Sequence, residues 1–314
     1  MTAYFCRRLL GSLLLLLAVS ILCFLLLRAA PGGPFSSADP RIRAADRART
    51  VQALGLDRPL HTQYLTWLGG ILTGDLGTSL VTGEPVAAMI GARLPATLEL
   101  MGVALVVSLG LGISLGALAA LRRGSWQDHA ITAFSALGLS VPVFWLGVLA
   151  IIVFAAQLGW LPAGGRPPGN WAAHARHLVL PATVLTIAQT PVWIRTLRAS
   201  VLDTLAEDWP RAARARGVAE WRVLSRHVLR PSLGALVTLL GLQLPVLFTG
   251  AAITETVFAW PGIGRLFFEA TERFDYPRLQ SLLFVAAALV IAGNFAADLV
   301  NARLDPRIRL RGVR

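Results

Sequence analysis

An all-α membrane protein with about six transmembrane helices is the fold class this sequence predicts, on three observations. The 314 residues are 55% hydrophobic and 15% charged with a mean hydropathy of +0.63, whereas soluble domains carry about 25% charged residues. Six apolar runs follow one another, at roughly 9–27, 96–121, 131–158, 178–197, 233–254 and 280–300, each near the ~20 residues a helix needs to cross a bilayer core. The runs are rich in leucine and alanine and far exceed the ~9–11 residues of a barrel strand, so helices rather than a β-barrel satisfy the backbone in lipid.

The first run is preceded by Arg7 and Arg8 and followed by Ala29 and Ala30, which also suits a signal peptide. About nineteen apolar residues exceed a signal core of about 7–15, so residues 1–28 are read as the N-terminal end and first span. Cys6 and Cys23 lie on that helix about 25 Å apart along its axis and cannot form a disulfide within it. Residues 29–95 form the longest excursion, polar enough to be a small cap. Periodicity around Val51, Leu54, Leu65, Trp67 and Leu68, interrupted by Gly55 and Pro59, predicts short amphipathic helices there. The second span carries Ser108, Gly110, Gly112, Ser114, Gly116 and Ala117, a small-residue stripe that lets helices approach closely. Pro142, Pro181, Pro191 and Pro245 stand where spans can bend or break. Trp67, Trp160, Trp171 and Trp260 fall near span ends, as interfacial anchors do. The core of five further helices covers 96–302, with a loop at 201–231, and 303–314 is a tail.

All 29 basic residues are arginine. A phosphate-cradling G-x-x-x-x-G-K-[ST] loop needs its lysine, so ATP binding of that kind is excluded and any ATP hydrolysis belongs to another polypeptide. The net charge of +12 has no soluble basic module around it that would hold nucleic acid. Arginine instead sets topology. With the N-terminus in the cytoplasm, about 17 of the arginines fall in the short inside segments, 195–232 and the tail above all, as the positive-inside bias requires.

One inside segment, DWPRAARARGVAEWRVLSRHVLRP from Asp208 to Pro231, has the form of a handle for another protein. Asp208 can cap a short helix, Pro210 suits its first turn and Gly217 can end it in the left-handed conformation. Val218, Val223, Leu224, Val228 and Leu229 suggest a second short helix limited by Pro231. Ala212, Ala213 and Ala215 keep the first helix thin enough for a groove, and Arg211, Arg214 and Arg216 supply charge for an acidic rim.

Catalytic constellations do not emerge. His174 and His177 have no carboxylate or cysteine at supporting spacing, so no metal site is proposed. GLSVP around Ser140 is not a nucleophile elbow, and the spans hold no central carboxylate chain for ion coupling; Glu99, Arg195, Glu255 and Asp298 lie toward ends. A membrane enzyme would require a nucleophile or metal constellation, and a passive channel would conduct without nucleotide, with no ATPase present.

The strings LGLDRPLHTQYLTWLGGILTGDLGTSL, RLPATLEL, GLSVPVFWLG, LGWLPAGGR, RAARARGV, TETVFAWPGIGRL, DYPRLQ and LDPRIRL, in this order, closely resemble the first, B-type permease subunit of dipeptide, oligopeptide and nickel ABC importers over nearly the whole chain. The resemblance implies a type I ABC importer permease arrangement in the cytoplasmic membrane of a bacterium, both termini cytoplasmic. It implies partners as well: a second, homologous permease completing a heterodimer, two ATP-binding subunits carrying ATP and Mg²⁺, and an extracytoplasmic substrate-binding protein. No cofactor is implied on this chain. The cargo implied is a di- or oligopeptide, with nickel, glutathione or another small solute as the alternative. The handle matches the family's coupling helix at Asp208, Arg211, Ala212, Ala213, Arg214, Arg216 and Gly217. Glu255, Trp260, Pro261 and Gly262 match a turn expected to act as an extracytoplasmic gate or binding-protein contact. Pro231 departs from the family's pattern and is expected to shorten the second short helix by about a turn.

Overall fold

The computed structural model describes residues 2–29, 55 and 57–304. The periodicity expected at Val51 and Leu54, and the tail from 305 onward, lie outside them. Every long element is helical: α1 (Thr2–Ala29), α2 (Leu60–Leu72), α3 (Val86–Leu121), α4 (Trp126–Ser140), α5 (Val143–Ala150, running on as a π-helical stretch, Ile151–Gln157), α6 (Trp171–Ala206), α7 (Asp208–Ala215), α8 (Glu220–Val257), α9 (Ile263–Glu272) and α10 (Tyr276–Leu304).

Among the described residues five helices are long and apolar enough to cross a bilayer: Phe5–Ala29, Val86–Leu121, Trp171–Ala206, Glu220–Val257 and Tyr276–Leu299. The third apolar run is no straight span. It breaks into α4 and α5, bent by 101°. Val141 at the break is extended (φ −90°, ψ 122°), as the residue before a proline prefers, and Pro142 cannot continue the α4 hydrogen-bond ladder. Pro181, Pro191 and Pro245 lie inside helices that run on past them.

The second span starts earlier than its apolar run. α3 begins at Val86 and carries Pro95 within it, because Val86 and Ile90 are buried against Ile263, Leu266 and Ala270 of α9. Tertiary packing thus holds the turns before Pro95 helical, and the cap ends near residue 85. Within the cap, α2 begins after Pro59, with Gly55 at φ +62°, as its breaker residues require.

Of the small-residue stripe, Ser108, Gly112 and Gly116 join α3 to α6, the most extensive helix pair among the described residues, whereas Gly110 and Ser114 face outward. A Cβ built at Gly112 would lie 2.2 Å from Trp193 Cβ, and one at Gly116 would lie 2.9 Å from the Ile194 carbonyl. The indole of Trp193 donates to Ser108 Oγ at 3.2 Å across the same seam. In lipid such close approach supplies the packing attraction that hydrophobicity cannot. Asp298 of α10 pairs with Arg8 of α1, and both cysteines are free.

These contacts also order the ends of the bundle. α3 and α6 run parallel, Glu99 meeting His174 and Gly112 meeting Trp193. α8 runs against α6, with Thr204 beside Ser232 and Leu185 beside Gly250, and α10 runs against α8. The α1 N-terminus, the α3–α4 turn, the α6–α8 connection and the α10 C-terminus therefore share one end. The opposite end collects α2, α9 and the starts of α3, α6 and α10.

Candidate functional site: the arginine-rich hairpin and the opposite turn

The hairpin between α6 and α8 keeps its sequence logic with two changes. α7 starts at Asp208, and Glu207 occupies the cap position without a side-chain cap bond, so Asp208 sits in the first turn and complements the helix dipole there. Gly217 has φ +77°. Its N–H donates to the Arg214 carbonyl at 2.9 Å and the Val218 N–H to the Ala213 carbonyl at 3.2 Å, the paired bonds of a glycine-terminated helix. Val218 then packs on the core that contains Ala213.

The second change concerns Pro231. α8 runs unbroken from Glu220 to Val257, and Pro231 shortens nothing. The turns before it, Val223–Leu229, are π-helical, with the Arg230 N–H reaching Ser225 O five residues back. Such a widened turn accommodates a proline without ending the helix. Proline has no N–H for the His227 carbonyl four residues earlier, and the Trp209 indole of α7 donates to that carbonyl at 3.1 Å. Trp209 thus ties the stub to the span that follows it. Sequence reasoning passed over this residue; the signal available was a tryptophan beside Pro210 and a proline inside the next helix.

The alanines and arginines of α7 do not share one role. Ala213 is fully buried with Trp193, Leu197, Val201, Val223 and Val228, so it seats the stub on its own chain. Pro210 is buried too, whereas Ala212 and Ala215 face outward. Arg214 is bound to Glu220 at 2.8 Å, and that hydrogen bond holds its guanidinium above its ordinary pKa. Arg216 donates to the Ala212 carbonyl at 3.2 Å, closing the helix end. Arg211, 3.8 Å from a fully exposed Asp208, is the stub's charge most available to a neighbour, because so exposed a pair is worth little. Trp221, 66% exposed and 5.0 Å below the Arg222 guanidinium, extends the same outward surface.

At the opposite end the turn after α8 is built inward. Glu255 and Trp260 are fully buried and Gly262 is buried with them. Glu255 Oε1 accepts from Thr97 Oγ at 2.5 Å and Oε2 from the Arg265 N–H at 3.0 Å, placing a carboxylate on the first turn of α9. A Cβ on Gly262 would lie 2.1 Å from the Glu255 carboxyl carbon, so glycine is what lets the acid reach that helix end. Trp260 donates to the Ala96 carbonyl at 2.9 Å, so it is a buried clasp and not an interfacial anchor; Trp160 and Trp171 are the exposed ones. With Glu255, Trp260 and Gly262 buried, this conformation leaves chiefly Pro261, half-buried, to meet another protein.

Beside this clasp, Glu99 accepts from both Nε and a terminal nitrogen of Arg166 at 3.2 and 3.1 Å and meets His174 Nε2 at 2.5 Å. His174 is therefore a structural partner of a carboxylate 75 positions earlier, and the described residues contain no cluster of three metal-ligating side chains. The Gly165 N–H donates to Phe258 O at 2.9 Å, tying the 158–170 connection to the clasp.

Family models match both parts of the chain: residues 1–101 as the N-terminal part of a binding-protein-dependent transport system membrane component, and residues 112–310 as a binding-protein-dependent transport system inner membrane component. The chain belongs to this family. It is a multi-pass inner-membrane permease of the B-type peptide ABC importer group. The permease is 42% identical to the oligopeptide transport system permease protein AppB of Bacillus subtilis over 98% of its own length and 99% of that protein. It is 37% identical to the di/tripeptide transport system permease protein DppB of Pseudomonas aeruginosa, covering 98% and 99%. The glutathione transport system permease protein GsiC of Salmonella choleraesuis is also 37% identical, covering 99% and 100%. Inward-facing structures of the MetNI methionine ABC transporter share the fold, with a TM-score of 0.58 at 19% identity over 69% of the permease and 96% of that chain.

Proposed function

We propose that the permease is one half of the membrane pathway of an ATP-driven, binding-protein-dependent importer of di- or oligopeptides, and that α7 receives the work of separate ATPase subunits. End-to-end kinship with permeases named for oligopeptides and di/tripeptides carries this reading. The chain itself is not catalytic. ATP and Mg²⁺ belong to the two ATP-binding subunits, since a chain without lysine has no P-loop of its own. A second, similar permease completes the pathway about a pseudo-two-fold axis, and an extracytoplasmic binding protein supplies the peptide. The end bearing α7 and both termini faces the cytoplasm, in keeping with its arginine content.

In this mechanism closure of the ATPases on ATP moves α7. Ala213, Pro210 and the Trp209–His227 bond join α7 to α6 and α8, so the displacement passes to the two spans that flank it. Packed helices hold discrete arrangements, and ATP shifts the balance between them. The test is Arg211→Glu and Ala212→Trp, both on the outward face, read by ATPase co-purification and by ATP-dependent uptake of a labelled dipeptide into proteoliposomes. Loss of both signals with normal membrane content is expected; unchanged association and uptake in both variants refutes the docking role. Kinship with the glutathione permease favours glutathione as the second reading of the cargo, and uptake of labelled glutathione without uptake of dipeptides would establish it.

A further inference from the structure

At the end of the bundle opposite α7, a cavity of about 200 Å³ lies between the last turn of α1, the α2 helix, the turn that follows it and the start of α10. A single water needs about 10–15 Å³ by this kind of measure, so the cavity accepts a group of several heavy atoms. Its polar lining includes two guanidiniums. Arg28 and Arg58 both face it, and among the described residues neither has a carboxylate partner. Gln280, only 7% exposed, and Trp67 form part of the wall behind the two guanidiniums.

Neighbouring residues hold these positions. Arg28 stacks over Phe24 at 5.1 Å, and Gln63 Nε2 donates to the Arg58 carbonyl at 2.7 Å. Leu76, Leu80 and Pro277 give the remaining wall an apolar surface. We propose that this cavity is a binding site for a phosphate-type oxyanion, held by the Arg28 and Arg58 guanidiniums. Arg28 ends the apolar span Phe5–Ala29, where phospholipid headgroups lie, so an anionic headgroup and free phosphate are the two sources of that chemistry.

The experiment uses the assembled transporter in nanodiscs of phosphatidylcholine with stepped amounts of phosphatidylglycerol, and in phosphatidylcholine alone with inorganic phosphate. The readouts are lipid retained in native mass spectra and the apparent thermal midpoint. Wild type is expected to retain phosphatidylglycerol and to gain stability with it, while Arg28→Gln and Arg58→Gln, both folded, bind about tenfold more weakly for the loss of a charge-assisted bond. A response to inorganic phosphate that matches the lipid assigns a free anion; a response to the lipid alone assigns the headgroup. Equal responses of wild type and both variants, or no response to either probe, would leave the cavity to water and overturn the assignment.

Discussion

Replacing Gly112 and Gly110 by alanine, one at a time, tests whether the α3–α6 seam holds the permease together. The two glycines stand two residues apart and so on different faces of α3: a Cβ at Gly112 falls 2.2 Å from Trp193 Cβ while one at Gly110 meets nothing within 4 Å. Ordinary carbon contacts lie at about 3.5–4.0 Å, so Gly112→Ala forces the helices apart by well over 1 Å or pushes Trp193 off Ser108. Overpacking of that kind costs about 1–3 kcal/mol, and separation also loosens Gly116 against Ile194 along the same seam. Gly110→Ala instead gains up to about 1 kcal/mol of helix propensity. At about 2–4 °C for each kcal/mol, Gly112→Ala should lower the apparent midpoint of the purified transporter by roughly 2–12 °C. Gly110→Ala should leave it unchanged or raise it. Size-exclusion thermostability in one detergent compares them directly, with transport by the survivors as a second measure. Equal midpoints for the two variants would refute the close-approach argument.

Gly217→Val places a β-branched residue at φ +77° and should cost at least about 1–2 kcal/mol at the α7 end, whereas Gly217→Asn, which tolerates that region, should keep most ATPase coupling; uptake per ATP hydrolysed measures the contrast. Gly262→Ala drives a methyl into the Glu255 carboxyl group and should reduce the amount of folded permease recovered from membranes, with Pro261→Ala as the tolerated neighbour. Glu99→Gln removes the charge that holds Arg166 and His174, so hydrogen exchange should quicken across residues 158–170 while the α7 hairpin is unaffected.

Much of this architecture was legible from residue order. A bilayer core sets a length that apolar runs must meet, which is why five spans emerged near their expected places, and clustered arginine marked the hairpin between two of them. Local stereochemistry was equally readable at Gly217, because a helix terminated by a left-handed residue depends on its own few neighbours. Contacts between distant segments were not. Whether Ala212 or Ala213 faces a partner depends on where Val201 and Val228 lie, and whether Pro231 ends a helix depends on a widened turn and a tryptophan 22 positions earlier. Glu255 looked like a residue at a span end available to other proteins until Thr97 and the α9 amides enclosed it. Periodicity reports that a side chain is apolar or charged; burial, pairing and clearance are properties of two segments at once, and those arise when the helices pack.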